Sequence, residues 1–171
     1  LKMSDEVRIV EAGAEDSLQV LKLLKQLDKE TETFTVEDDL ANLTVDTEAK
    51  QLELIQQSRE NLILLAMYQD EAIGLATVMK SETNEFGEVG VAVLSELWGQ
   101  GLGTALMEET LTWGESFSWL SGLVLTVQAR NLSAEHIYKK LGFEEIDRNK
   151  KGFRDKNGAS FETIDMKLTF S

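Results

Sequence analysis

A glycine-rich segment between an apolar run and a helical pattern is the feature that most constrains the fold of this chain. The segment reads Trp98-Gly99-Gln100-Gly101-Leu102-Gly103-Thr104. It follows the apolar residues 89–94 and precedes a helical pattern that starts at residue 105. A strand, a glycine loop and a helix in this order aim bare backbone N–H groups and the positive end of a helix dipole at an anion. The segment therefore predicts a diphosphate site in an α/β fold.

Two common phosphate-binding loops do not match this segment. The P-loop needs Lys followed by Ser or Thr after its last glycine, whereas Thr104 and Ala105 follow here. The dinucleotide fingerprint needs a third glycine, where this chain has Thr104 or Leu106. The loop also lies past the middle of the chain, while a dinucleotide-binding unit usually opens its domain. A glycine-rich strand-to-helix turn without a ligand is the remaining alternative at this point.

The composition limits the chemistry that the chain can perform. There is no Cys and only one His, so a thiolate nucleophile, a disulfide and a His-rich metal site are not expected. The formal net charge of −14 argues against a nucleic-acid partner. No apolar run approaches the roughly 18 residues of a membrane span. We expect a cytoplasmic protein with no metal and no membrane partner, and we expect Leu1 and Lys2 to be remnants that precede a native start at Met3.

Hydrophobic periodicity predicts one mixed α/β domain over residues 1–171. Strands are predicted at residues 7–10, 62–68, 72–79, 86–94, 123–127, 143–146 and 161–168, and helices at residues 15–27, 47–59, after the glycine loop and at 132–141. Residues 28–46 and 149–160 are predicted to be irregular. The helix after the loop has a predicted core stripe of Leu102, Leu106, Trp113 and Phe117. Gly142 is predicted to end the last helix.

This order of elements, together with two motifs, resembles the GCN5-related N-acetyltransferase (GNAT) family over nearly the whole chain. The family's Gln/Arg-x-x-Gly-x-Gly/Ala loop, which holds the acetyl-CoA diphosphate, begins here at Trp98 instead of Gln or Arg. That departure removes one side-chain contact and leaves the backbone donors. The second motif is similar to Asn131, Ala134, Tyr138, Gly142 and Phe143 at the family's spacing. The resemblance implies a mainly antiparallel sheet of about seven strands with about four helices, in which strands 4 and 5 splay apart.

The resemblance implies acetyl-CoA as the cosubstrate, bound by three groups of residues. The N–H groups of the loop would hold the diphosphate, from Gly99, Gln100, Gly101, Leu102, Gly103 and Thr104. The backbones of Val91 and Val93 would pair with the pantetheine arm like an added strand. Asn131 would hydrogen-bond the same arm, although capping of its helix explains Asn131 equally well. A sheet-core role for the two valines is compatible with this function.

The resemblance also implies the catalytic groups. Tyr138 would act as the general acid that protonates the departing CoA thiolate, and a buried core tyrosine is the alternative. Glu88 is the candidate general base, because some family members keep a catalytic Glu early on this strand. Since the chain has no Cys, direct attack in a ternary complex is expected, with the Val93 N–H stabilising the oxyanion. His136 is expected to be exposed on its helix.

The acceptor is expected to be a primary amine of a small molecule, a peptide or a protein. Acidic residues between positions 28 and 39 could receive an amine, and basic residues between 150 and 156 could meet a CoA phosphate or an acidic acceptor. Solvated loop charge explains both groups as well. A non-catalytic acetyl-CoA-binding regulatory module and an unrelated nucleotide-binding protein are the alternative functions, and the presence of Tyr138 favours an enzyme. A homodimer is a further expectation.

Overall fold

The computed structural model describes residues 6–30 and 44–171 and confirms the predicted order of strands and helices within them. The strands are β1 Arg8–Glu11, β2 Leu62–Tyr68, β3 Glu71–Lys80, β4 Phe86–Val93, β5 Gly122–Gln128, β6 Glu144–Arg154 and β7 Ser160–Thr169. The helices are α1 Ser17–Glu30, α2 Val45–Gln56, α3 Leu102–Ser116 and α4 Leu132–Lys140. Short 3-10 helices occupy Ala14–Asp16 and Ser95–Leu97.

The seven strands form one sheet in the order β1-β2-β3-β4-β5-β7-β6. All neighbours are antiparallel except β4 and β5, which run parallel. The β4–β5 pairing covers only three residue pairs, and the last of them joins Glu88 to Val124. Beyond Glu88 the two strands part, which confirms the predicted splay. A gap therefore opens in the middle of the sheet, beside the end of β4 that leads into the glycine loop.

Helices cover both faces of the sheet and give it two cores. On one face, α1 and α2 bury residues such as Leu27 and Leu52 against Leu75 of β3. On the other face, α3 buries Leu106 against residues such as Leu123. Neighbouring residues of a strand point to opposite faces, so each central strand contributes to both cores. None of the described helices is both long and apolar enough to cross a membrane.

The predicted core stripe of α3 is confirmed for Leu102, Leu106 and Trp113, which are all buried, and is wrong for Phe117. Phe117 is 60% exposed. It follows the last helical residue and has a non-helical backbone with φ −123° and ψ −29°. The helix therefore ends at Ser116, one residue before it could direct this ring into the core.

The prediction of irregular structure over residues 149–160 is wrong at its start, because β6 continues to Arg154. Phe153 pairs with Phe161 across the hairpin, and the register shifts between Asn149 and Phe153 to accommodate the intervening residues. The charges that indicate a loop in the sequence belong to an edge strand whose side chains are largely exposed. The turn is confined to residues 155–159, where the Asp155 carboxylate accepts two backbone N–H bonds at 2.9 Å.

Candidate active site

The glycine loop leads from β4 to α3 with its backbone donors uncovered. Gly99 and Gly101 have φ of +80° and +81°, the left-handed region that favours glycine. Within the described residues no side chain caps α3, so the N–H groups of its first turn, including that of Thr104, have no side-chain acceptor there. A Cβ added at Gly99, Gly101 or Gly103 would meet nothing within 4 Å. Open space in front of unpaired donors at a helix start suits an anionic group such as a diphosphate.

Two larger side chains flank these glycines. Trp98, where the family has Gln or Arg, donates its indole Nε1–H to the carbonyl oxygen of Val93 at 2.7 Å. This hydrogen bond of Trp98 therefore links the start of the glycine loop to the end of β4. Gln100 has a buried amide oxygen that accepts no hydrogen bond from any described residue. Buried acceptors usually have a partner, so this oxygen is available to a donor on a bound molecule.

The backbone of β4 presents polar groups to the gap. The N–H of Leu94 donates to the carbonyl of Ile73 on β3 at 3.0 Å. Because bonding direction alternates along an antiparallel strand, the peptide groups of Val91 and Val93 point away from β3, toward the gap. Trp98 occupies the Val93 carbonyl, which leaves the Val93 N–H and both polar groups of Val91 for a partner. Both valine side chains also pack against the core beneath α3, which confirms their predicted sheet-core role.

A cavity of about 870 Å³ occupies the gap. It brings together four predicted site residues and one loop residue, which are Glu88, Val91, Asn131, Tyr138 and Trp98. Val93 and residues 99–104 are not part of its lining and lie next to it, at the end of β4 and the start of α3. The predicted site is therefore one continuous region of the fold.

Tyr138 contributes its phenol to this cavity. Its ring packs edge-on against Phe143 with the centroids 6.2 Å apart, and its hydroxyl makes no hydrogen bond with any described residue. Burial raises the pKa of the Tyr138 phenol, so the proton is retained at neutral pH. Asn131 caps α4, because its Oδ1 accepts the Ala134 N–H at 3.2 Å. The predicted capping role is thus confirmed, and His136 is exposed as expected.

Acidic side chains enter the cavity from the α1 and α2 side. Glu88 is exposed and lies opposite Met79 of β3. Glu48 in the first turn of α2 is only 5% exposed and also lines the cavity. Glu48 was not predicted as a site residue from the sequence, because an acid in a first helical turn is an ordinary helix-start feature. The acidic residues expected at positions 32–39 lie outside the described residues.

Glu30 connects α1 to the base of the glycine loop. Its carboxylate accepts the backbone N–H of Ser95 at 2.7 Å. This bond, followed by one from Gln26, holds the pKa of Glu30 below its usual range. The end of α1 is thereby fixed next to the segment that carries the backbone donors.

The β6–β7 hairpin contributes differently from the sequence prediction. The basic residues between 150 and 156 are not part of the cavity lining, whereas Gly152, Phe153 and Thr163 are. A Cβ at Gly152 would collide with the Thr163 side chain, so glycine is required for this close approach. Arg130, just beyond β5, is a second lining residue that was not predicted from the sequence. No group of three or more His, Cys, Asp or Glu side chains within the described ranges could hold a metal ion.

A sequence model described as the acetyltransferase (GNAT) family matches residues 23–143. The crystal structure of an acetyltransferase of the GNAT family from Streptococcus pneumoniae is 26% identical, with a TM-score of 0.88 over 96% of this chain and 100% of that chain. No curated protein sequence matches the chain.

Two more distant structures share the fold. A ribosomal-protein-alanine N-acetyltransferase from Brucella melitensis is 19% identical, with a TM-score of 0.78 over 95% of this chain and 99% of that chain. A GNAT superfamily phosphinothricin acetyltransferase from Sinorhizobium meliloti, in complex with acetyl-CoA, is 16% identical, with a TM-score of 0.77 over 96% of this chain and 89% of that chain.

Proposed function

Because the chain belongs to the acetyltransferase (GNAT) family, we propose that it transfers an acetyl group from acetyl-CoA to a primary amine. The observation that carries this proposal is the uncapped start of α3, with open space at Gly99, Gly101 and Gly103, directly beside the gap between β4 and β5. The start of α3 suits an anion, and the neighbouring edge of β4 is unpaired. Together they suit a ligand that has a diphosphate and a long arm with amide groups.

Acetyl-CoA would be held mostly by backbone groups. The N–H groups of residues 99–104 would bind the diphosphate, which the net charge of −14 otherwise disfavours. The free N–H and carbonyl of Val91 would pair with the pantetheine arm, and the Val93 N–H would bind the thioester carbonyl oxygen of the same acetyl-CoA. Asn131 would donate to this arm with its amide nitrogen, since its oxygen is bound to the Ala134 N–H. The buried Gln100 oxygen would accept a donor from the nucleotide portion.

The proposed reaction is a direct attack of the amine nitrogen on the thioester carbonyl carbon. A C–N bond forms, the C–S bond breaks, and the negative charge on the carbonyl oxygen is stabilised by the Val93 N–H. Tyr138 gives its proton to the departing thiolate, and the raised pKa keeps that proton in place until it is needed. Glu88 removes the proton that the amine loses, directly or through water. The chain has no Cys that could form an acyl-enzyme.

The test is release of free CoA thiol from acetyl-CoA across a panel of primary amines. We expect amine-dependent thiol release together with formation of the N-acetyl product, detected by mass spectrometry. A different result would favour the non-catalytic module: acetyl-CoA would raise the melting temperature while no amine accelerated thiol release. Stabilisation by ATP but not by acetyl-CoA would contradict both. The cytoplasmic location and the homodimer stay predictions. Localisation imaging would test the first, and light scattering would test the second.

A further inference from the structure

We propose that the acceptor carries a carboxylate in addition to its amine, and that Arg130 binds this carboxylate. The inference rests on the proposed acetyl transfer and deepens it by naming the class of acceptor. Arg130 lies between β5 and α4 and lines the cavity in the gap.

The contacts of Arg130 with Gln128 and Phe161 place it on the acceptor side of the sheet. Thr126 and Gln128 of β5 lie opposite Asp165 and Thr163 of β7, and side chains of paired residues share a face. The alternate residues Leu125 and Val127 belong to the core beneath α3. Thr126 and Gln128 therefore face the α1 and α2 side, and Arg130, in the turn after β5, contacts Gln128 on that side. Since α3 and α4 carry the loop and Tyr138 on the opposite face, this side is left for the acceptor.

Two contacts hold the guanidinium of Arg130 in a defined position. Its Cζ lies 3.6 Å from the centroid of the Phe161 ring, in a cation–π arrangement. Its Nε–H donates to the amide oxygen of Gln128 at 2.6 Å. Phe161 is supported by Phe153, whose ring centroid is 6.4 Å away and which also lines the cavity. These two contacts fix the plane of the guanidinium and use its Nε–H. The two terminal NH₂ groups are left as the fork that can bind a carboxylate in a bidentate manner.

The charge of Arg130 is not neutralised by the described part of the chain, where it forms no ion pair. Arg148 shows the contrast, because carboxylates of Glu145, Glu162 and Glu135 lie 2.8, 3.0 and 3.6 Å from its guanidinium. Several other described basic side chains also form no ion pair, and Arg130 differs from them because it is the one basic residue among the described residues that line the cavity. A fixed, unpaired cation on a cavity wall provides a site for an anion.

The opposite charge lines the same cavity. Glu48 and Glu88 are carboxylates on the α2 and β4 sides. Glu88 suits the ammonium form of an acceptor before it loses its proton, and Glu48 adds negative charge to the same wall. A cavity with carboxylates on one side and a guanidinium on another matches a molecule that bears both charges, such as an amino acid or a short peptide. A polyamine would meet the unpaired Arg130 as a like charge.

The test compares acceptors in matched pairs, each an amine with a free carboxylate and the same amine as its primary amide. Pairs of α-amino acids, ω-amino acids and dipeptides vary the spacing of the two groups. We expect the parent enzyme to favour the acid of at least one pair by about 10- to 100-fold in kcat/KM, the range for a hydrogen bond to a charged group. Arg130→Gln should remove this preference by raising the KM of the acid, and Arg130→Lys should retain part of it.

The control is Arg8→Gln, which removes one positive charge from β1 at the far end of the sheet. It should leave the acid-to-amide ratio unchanged. Equal losses of kcat/KM for acid and amide in Arg130→Gln, a parent preference for the amides, or a raised KM for acetyl-CoA alone would each overturn the inference. If no amine is acetylated, the proposed function fails separately. Calorimetry of the acids with the CoA-bound protein then decides the role of Arg130, because binding must be weakened in Arg130→Gln.

Discussion

Gly103 offers a way to separate folding from cosubstrate binding at the scale of a single residue. It lies in the first turn of α3, and an added Cβ has open space around it. Gly103→Ala should therefore keep or raise stability, by up to about 1 kcal/mol. The same Cβ would occupy the space proposed for the diphosphate, so acetyl-CoA affinity should fall. Thermal melting and calorimetric titration on one sample measure both effects.

Gly101→Asp and Gly103→Asp should abolish acetyl-CoA binding, because each places a carboxylate in front of a diphosphate. Gly101→Asp should also lose stability, since φ of +81° strains a side chain at that position. A folded Gly103→Asp variant that bound acetyl-CoA as tightly as the parent would show that the loop is not the diphosphate site.

Tyr138→Phe should leave stability unchanged and lower turnover. The hydroxyl makes no hydrogen bond with the described residues, so its removal deletes no structural contact. General acid catalysis typically contributes about 10²- to 10⁴-fold, and kcat should fall within that range. Steady-state kinetics and melting curves are the measurements. A kcat within twofold of the parent, together with a lower melting temperature, would return Tyr138 to a packing role.

The pKa of Tyr138 gives a pH prediction. Burial raises this pKa above the ordinary tyrosine value of about 10. The acid should therefore stay protonated through neutral and mildly alkaline pH, and kcat should show no alkaline decline from Tyr138 below about pH 10. Because the folded pKa exceeds the unfolded one, any stability linked to this phenol is present below pH 10 and is lost as pH rises through the folded pKa. A decline of kcat near pH 8 in the parent enzyme that disappears in Tyr138→Phe would contradict the prediction of a raised Tyr138 pKa.

At the scale of the elements, Trp98 determines how β4 ends. Trp98→Phe keeps the ring and removes the Nε1–H that donates to the Val93 carbonyl. Unfolding free energy should fall by about 0.5–1.5 kcal/mol, nearer the lower end because the side chain is 64% exposed. Trp119→Phe is the matched control, since Trp119 is 68% exposed and contacts Arg59 through its ring instead. Denaturant unfolding should show a larger loss for Trp98→Phe than for the control.

The elements also show where sequence patterns are sufficient. The glycine loop and α4 were predictable because their signals are local: glycines at positive φ, and Asn131 at the start of a helix. The extent of β6 was not predictable, because it depends on pairing with β7 while its own residues are charged and exposed. Glu48 and Arg130 were missed for the same reason, since only the folded sheet brings them to the cavity. Local chemistry is readable from sequence, whereas pairing between distant segments is not.

For the whole molecule, acetyl-CoA should act as a stabiliser. A ligand that binds only the folded state at 100 times its Kd adds about 2.7 kcal/mol of stability. With roughly 2–4 °C per kcal/mol for a domain of this size, the melting temperature should rise by about 5–10 °C. CoA should act similarly, and ATP or NAD should not. The absence of a shift at saturating acetyl-CoA would contradict the binding proposal.

The short β4–β5 pairing also determines how amide hydrogens exchange with deuterium. Gly90 and Ala92 bond toward β3, while Val91 and Val93 face the gap. Protection along this central strand should therefore alternate, with slow exchange at Gly90 and Ala92 and fast exchange at the two valines. Such alternation is usual for the outermost strand of a sheet, where one side meets water. In exchange terms, β4 is an edge strand located in the middle of its own sheet.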